Sequence, residues 1–150
     1  MIEKLLSLLG GTESAPPEDT AKAGRVAIAA ILVEAAHADG VYLDAEQTTI
    51  DQILAERYGL AAADAMALRT EGEVAQSEAV DLVGFTRAVK DAVPFEERIE
   101  VIECVWRVIY ADDDRDMDEG NLIRKLAGLL YVPDRDAGLA RQRVLGNLED

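Results

Sequence analysis

Apolar residues in this chain recur with the period of an α-helix and nowhere sustain the period of a strand. Ile28, Ile31, Leu32 and Ala35 fall at i, i+3, i+4 and i+7. The same spacing returns in Ile102, Val105, Trp106 and Ile109, and again in Ile123, Leu126, Ala127 and Leu130, so each stripe predicts a separate helix with a buried face. Ile50, Ile53, Leu54 and Tyr58 mark another from about Asp44. Leu82, Phe85, Thr86 and Val89 mark one that starts after Ser77, whose hydroxyl is the expected N-cap. Pro94 suits a first helical turn, followed by Glu96 and Glu97 where the helix dipole favours anions. A last helix is expected from about Asp134 to Asn147. With an amphipathic helix at Met1 to Leu9, the chain reads as a compact all-α bundle of about seven helices.

The 150 residues divide into that N-terminal helix (1–9), a linker (10–19) with two glycines and two prolines, and a helical domain (20–150). Of these residues 49% are hydrophobic and only 5% aromatic, enough for a core built from Ala, Leu, Ile and Val. Thirty acidic residues against 15 basic ones leave a formal net charge of −15, which opposes binding to nucleic acid or to anionic lipid headgroups. Cys104 is the single cysteine, so an intrachain disulfide and a thiolate zinc site are excluded and a reducing cytoplasm is expected. The longest apolar run, Val26 to Ala36, is interrupted by Glu34 and falls short of the ~20 residues that cross a bilayer. Met1 to Leu9 is too short, and with Glu3 too polar, for a leader peptide. Its expected roles are docking on the domain, on a second copy, or peripherally on a membrane surface.

A degenerate repeat runs through the domain. Ala38-Asp39 followed by Glu46, Ile50 and Ile53 matches Ala111-Asp112 followed by Glu119, Ile123 and Leu126 at a constant offset of 73. In each copy an apolar helix leads into a short acidic turn and a second helix begins near the Glu, which implies two helix–turn–helix units related by a pseudo-twofold. The turns read Asp39-Gly-Val-Tyr-Leu-Asp44-Ala-Glu46 and Asp112-Asp-Asp-Arg-Asp116-Met-Asp-Glu119.

Two chemistries fit such turns. Asp44 with Gln47 and Asp116 with Glu119 have capping-box spacing, which needs no ligand. Asp39 and Asp112, however, stand at the ends of the preceding helices, where the dipole disfavours a negative charge. A hard divalent cation (Ca, Mg or Mn) held by Asp39 and Glu46, by Asp112 and Glu119, or by all four would relieve that repulsion. The second turn is not an EF-hand, because Met117 replaces the required Gly and Ile123 the bidentate Glu. Glu34 and His37 have the Glu-x-x-His spacing of di-iron bundles, but His37 is the only histidine, and Glu34 is expected to meet an arginine. Trp106 and Tyr110 are expected in the core. The serines lie outside any nucleophile elbow, and phosphate-binding glycine loops are missing, so no complete catalytic motif is present.

Ala38-Asp39-Gly40 with Glu46, Ala111-Asp112-Asp113 with Glu119, and Arg124-Lys-Leu-Ala-Gly-Leu-Leu-Tyr-Val132 together resemble the TerB-like family. That family is named for the tellurite-resistance protein and is also found as the N-terminal part of a membrane-anchored J-domain co-chaperone. The resemblance implies a compact helical fold, a cation site made from the acidic turns, and a link to metal or chemical stress near the inner membrane, without implying an enzyme activity. Asp113 departs from the pattern, which has Gly there, so the two turns are not equivalent. The alternative expectation is a metal-free interaction scaffold whose acidic turns only cap helices, with a protein partner or a second copy docking on the acidic surface.

Overall fold

Ala27 to Val33 is an unbroken run of apolar residues, and a helix carrying such a run has no polar side to give to water. In the computed structural model, which describes residues 17–38, 42–111 and 118–149, that run is the middle of α1 (Pro17–Ala36), and every residue in it is at most 2% exposed. The helices α2 (Asp44–Tyr58), α3 (Ala62–Glu78) and α4 (Val83–Ala92) follow. A 3₁₀ turn (Phe95–Glu97) leads into α5 (Arg98–Ile109), then α6 (Asp118–Leu129) and α7 (Asp134–Glu149). Among the described residues there are these seven helices and no strand. The expected Met1 to Leu9 helix lies outside the described residues.

Enclosure of α1 sets the packing. Its broadest contacts are with α3 and α4, and α5 closes a third side. The closest approaches use small residues. A Cβ added at Gly72 of α3 would lie 2.6 Å from the Ala29 Cβ and 2.8–2.9 Å from the backbone of Ala29 and Ala30; Gly24 of α1 meets Ala92 of α4 in the same way. Ile28, Ile31, Leu32, Ile50, Ile53, Leu54, Ile102, Leu126 and Leu130 are fully buried in one continuous core. Each such side chain contributes about 1.5–3 kcal/mol relative to exposure. Trp106 and Tyr110 belong to that core as expected, stacked at 5.7 Å, with the indole N–H donating to the Ala137 carbonyl at 3.2 Å.

The structure differs from the expected elements and caps at four places. No apolar stripe marks α3, because its contribution to the core is mainly the small residues Ala65 and Gly72. Ser77 therefore caps nothing: it sits in the last turn of α3 and its hydroxyl donates to the Val74 carbonyl at 2.7 Å. The side chain at the start of α4 is Asp81, which accepts from the Val83 N–H at 2.9 Å. Pro94 precedes the 3₁₀ turn rather than standing in the first turn of α5. Only half of a capping box forms at α2, one residue early: Asp44 is already helical, Leu43 at the N-cap has no side-chain acceptor, and Glu46 Oε1 accepts from the Leu43 N–H at 2.9 Å.

The repeat is larger than the helix–turn–helix pair. In both α1–α2–α3 and α5–α6–α7 the first helix packs mainly on the third, and the second also packs on the third. The third helices align as Asp64-Ala-Met-Ala-Leu-Arg69 and Asp136-Ala-Gly-Leu-Ala-Arg141, at an offset of 72. Both second helices stop at a left-handed residue, Gly59 (φ 62°) and Tyr131 (φ 61°). Each stop is closed by a backbone bond across it, Leu60 N–H to Ala55 O at 3.0 Å and Val132 N–H to Ala127 O at 2.8 Å, the pattern of a Schellman cap. Glycine adopts this φ freely, whereas tyrosine does so at a cost. Arg98 of α5 ties the second unit to α4, the helix between the two units. Its guanidinium donates to Lys90 O and Val93 O at the end of α4 and to Leu130 O beyond α6, each at 3.3 Å.

Gly72→Ala is expected to lower stability by about 1–3 kcal/mol, the usual cost of overpacking, because the added methyl meets backbone that cannot retreat. Gly138→Ala, on α7 with nothing within 4 Å, is the control and is expected to be neutral or stabilising by up to about 1 kcal/mol. Thermal and urea unfolding of the two variants measure the difference.

Candidate functional site

The first acidic turn is framed by side chains of α3. At its near edge α1 closes with His37 N–H donating to Val33 O at 3.0 Å and Ala38 N–H to Ala35 O at 3.3 Å. Gln76 Nε2 reaches across from α3 to Glu34 Oε2 at 2.8 Å, so the partner of Glu34 is an amide and not the expected arginine. At the far edge the Tyr42 hydroxyl donates to Glu73 Oε2 at 2.6 Å. Arg69 donates to the same oxygen at 2.9 Å and to Asp51 on α2 at 2.6 Å. The His37 ring rests on the Tyr42 ring, centroids 4.7 Å apart. One helix thereby fixes both edges of the turn, and the intervening residues 39–41 lie outside the described ones.

Burial, reinforced by the Glu73 carboxylate, holds the Tyr42 phenol well above its ordinary value of 10. The hydroxyl therefore remains a donor throughout the physiological range.

At the second turn, α5 closes with Tyr110 N–H donating to Trp106 O at 2.9 Å and Ala111 N–H to Val108 O at 3.1 Å. Arg141 of α7 donates to the Tyr110 hydroxyl. Arg141 stands at the position of Arg69 in the repeat, so in both units an arginine of the third helix reaches an edge of the acidic turn: Arg69 the far edge, through the Glu73 carboxylate that also holds Tyr42, and Arg141 the near edge, at Tyr110. That correspondence was available in the sequence as Ala-Leu-Arg69 and Leu-Ala-Arg141, but at an offset of 72 rather than 73.

Of the four expected ligands, Glu46 is the one whose side chain is described. It is 2% exposed, in the first turn of α2, with Oε1 held by the Leu43 N–H. Glu119 is in the first turn of α6; its side chain, Asp39, Asp112 and the Asp116 cap lie outside what is described. Among the described residues, no group of three or more His, Cys, Asp and Glu side chains is arranged to hold a metal ion. Cys104 is a free, buried thiol, and burial pushes its ionisation up.

The family comparison joins these features. The sequence model described as tellurite resistance protein TerB matches residues 25–142. The chain belongs to the TerB family. The TerB match begins inside α1 and ends inside α7, so it takes in both three-helix units and both acidic turns. Neither the curated proteins nor the solved structures give a significant match. No helix among the described residues is long and apolar enough to cross a membrane.

Tyr42→Phe removes the donor to a charged acceptor and is expected to cost about 1.5–3 kcal/mol. A phenol held above its unfolded value of 10 contributes stability in full below pH 10 and loses it as pH rises further. The gap between the native protein and the variant is therefore expected to be constant from pH 6 to about 9 and to shrink above pH 10, measured by urea unfolding across that range.

Proposed function

We infer that this TerB-family domain is a non-enzymatic binding module whose acidic turns take hard divalent cations (Ca, Mg or Mn). Asp39 with Glu46 would hold one, and Asp112 with Glu119 the other. The observation that carries the reading is Glu46. It is a buried carboxylate in the first turn of α2, oriented by the Leu43 N–H at the far edge of a turn that opens with Asp39 seven positions back, where hard cations find oxygen ligands. Backbone carbonyls of the turn would complete an oxygen coordination sphere.

Two separate sites are favoured over a single four-carboxylate cluster. Glu46 stands ten residues, about 15 Å of helix, from Glu56 on α2. Glu56 pairs at 3.1 Å with Arg107, close to the start of the second turn. The family's association with tellurite resistance supports a role in metal or chemical stress, with the cation structural or sensory. The sequence supports a cytoplasmic location.

The capping bond of Glu46 favours a second reading, a metal-free scaffold whose acidic surface receives a basic partner or another copy. Binding of that kind weakens steeply with ionic strength.

Thermal unfolding of chelator-treated protein titrated with each ion separates the two. Cation binding to the folded state raises the midpoint, by about 2.7 kcal/mol of stability at a hundredfold excess over the dissociation constant. Glu46→Gln keeps an oxygen for the Leu43 N–H but loses the charge. It is expected to match the native protein in chelator and to lose the first site's share of the rise, while Asp112→Asn with Glu119→Gln loses the second. No rise with any ion at millimolar concentration overturns the cation reading.

A further inference from the structure

The two units differ in what lies on the flank of their first helix. At the offset of 73, Gly24-Arg25-Val26 of α1 corresponds to Glu97-Arg98-Ile99 where α5 begins. The two arginines reach equivalent places. Arg25 lies over the Tyr58 ring at 4.5 Å and Arg98 donates to Leu130 O at 3.3 Å, each at the residue that precedes a left-handed stop. In the first unit α4 packs on this flank: Gly24 is buried against Ala92, and Ala23 and Val26 share a groove with Phe85 and Ala88. In the second unit Glu96 and Glu97 of the matching flank are exposed, and a groove of about 250 Å³ opens between α5 and α7. Phe95, Ile99, Val132 and Leu139 line it, and Phe95 and Leu139 remain 54% and 40% exposed there. That volume falls below the roughly 300 Å³ at which small-molecule pockets begin, and suits the anchoring side chains of a docked helix.

Charge selects the occupant. Glu96 and Asp136 line the groove and Glu97 adjoins it, and among the described residues none of the three is in an ion pair. The cation that lines it, Arg143, is already held by Glu103 at 2.6 Å. A second copy, with the same net charge of −15, would bring its own acidic rim against this one, which opposes self-association. We propose that the α5–α7 groove docks an amphipathic helix of a partner protein, on the flank of the second unit that α4 covers in the first. Its apolar residues, at i, i+3 and i+4 spacing, seat against Phe95, Ile99, Val132 and Leu139. Lys or Arg residues on its borders meet Glu96, Glu97 and Asp136. Glu97 in place of Gly24 keeps that helix from the close backbone approach made by α4, so side chains and charges hold it and the contact is reversible.

The probe is a synthetic helix of about four turns with leucines at i, i+3, i+4 and i+7 bordered by lysines, set against a twin bordered by glutamates. Each is titrated into the full chain and followed by methyl and amide spectra. Saturable shifts centred on Ile99, Val132 and Leu139 are expected with the lysine peptide, and binding of the twin is expected to be weaker by at least about tenfold. Leu139→Glu, at an exposed position, is expected to weaken the lysine peptide by about tenfold or more, although it adds a charge that attracts lysine. Met66→Glu, exposed on α3, adds the same charge away from the groove and is expected to leave the affinity unchanged, while Glu96→Lys lowers it several-fold. Absent or unsaturable binding overturns the proposal, as do shifts spread over other acidic surfaces with Leu139→Glu unimpaired. Equal binding of the twin overturns the charge selection. A dimer that fills the groove without peptide and is lost in Leu139→Glu, seen by sedimentation, gives the groove to a second copy instead. The measurement is made in chelator, so its outcome is independent of cation binding.

Discussion

The fold depends on wrapping the central turns of one helix on all sides. A run of seven apolar residues at the centre of α1 allows no solvent-facing flank, so its neighbours must reach it from several directions and close to its backbone. Close approach calls for absent side chains more than for large ones. Gly72 against Ala29 and Gly24 against Ala92 let α3 and α4 approach α1 closely, and aliphatic residues of α2 and α5 join the same core. That is why so alanine-rich a chain with 5% aromatic residues still closes a continuous core.

The same requirement explains where the acidic turns are held. Since α3 gives small residues to the core, its long polar side chains are free to work at its edges. Gln76, Glu73 and Arg69 take hold of Glu34, Tyr42 and Asp51. Charge in the rest of the molecule is arranged with less consequence. The pairs Arg57–Glu100 and Arg107–Glu56 cross between α2 and α5, and Arg143–Glu103 joins α7 to α5. All include a substantially exposed partner, so each contributes at most about 1 kcal/mol. Arginines serve in all of them, which uses the planar guanidinium to hold geometry in a chain with a large acidic excess.

Helices with a broad apolar face were legible from residue spacing alone: the stripes of α1, α2, α5 and α6 stand where the 3.6 periodicity puts them. The helix α3 was not, because periodicity detects bulk and α3 packs through Ala65 and Gly72. Cap registers slipped for a related reason. Spacing rules favour Asp44 as a cap, but a Glu in the first turn can reach back to the preceding N–H, and Glu46 does. Half of the repeat was visible through its Ala-Asp and Glu positions. The other half was hidden by one residue fewer in α6 before the Tyr131 stop, which breaks the constant offset. At the candidate site, spacing singled out Glu46 but not Tyr42, Arg69 or Glu73, since nothing local announces that a helix 20 to 30 residues away will bind a turn.

Arg98 gives α4 and the second unit a shared fate. Helix ends fray because their last carbonyls lack partners, and an end that frays alone opens without cost to its neighbour. Here one guanidinium donates to the end of α4 and to Leu130 just beyond α6 at once, so if either end opens, the side chain that holds the other loses part of its own anchorage. The junction between α4 and the second unit is therefore where local opening becomes collective, and amide protection at Val93 and at Leu130 rises and falls together.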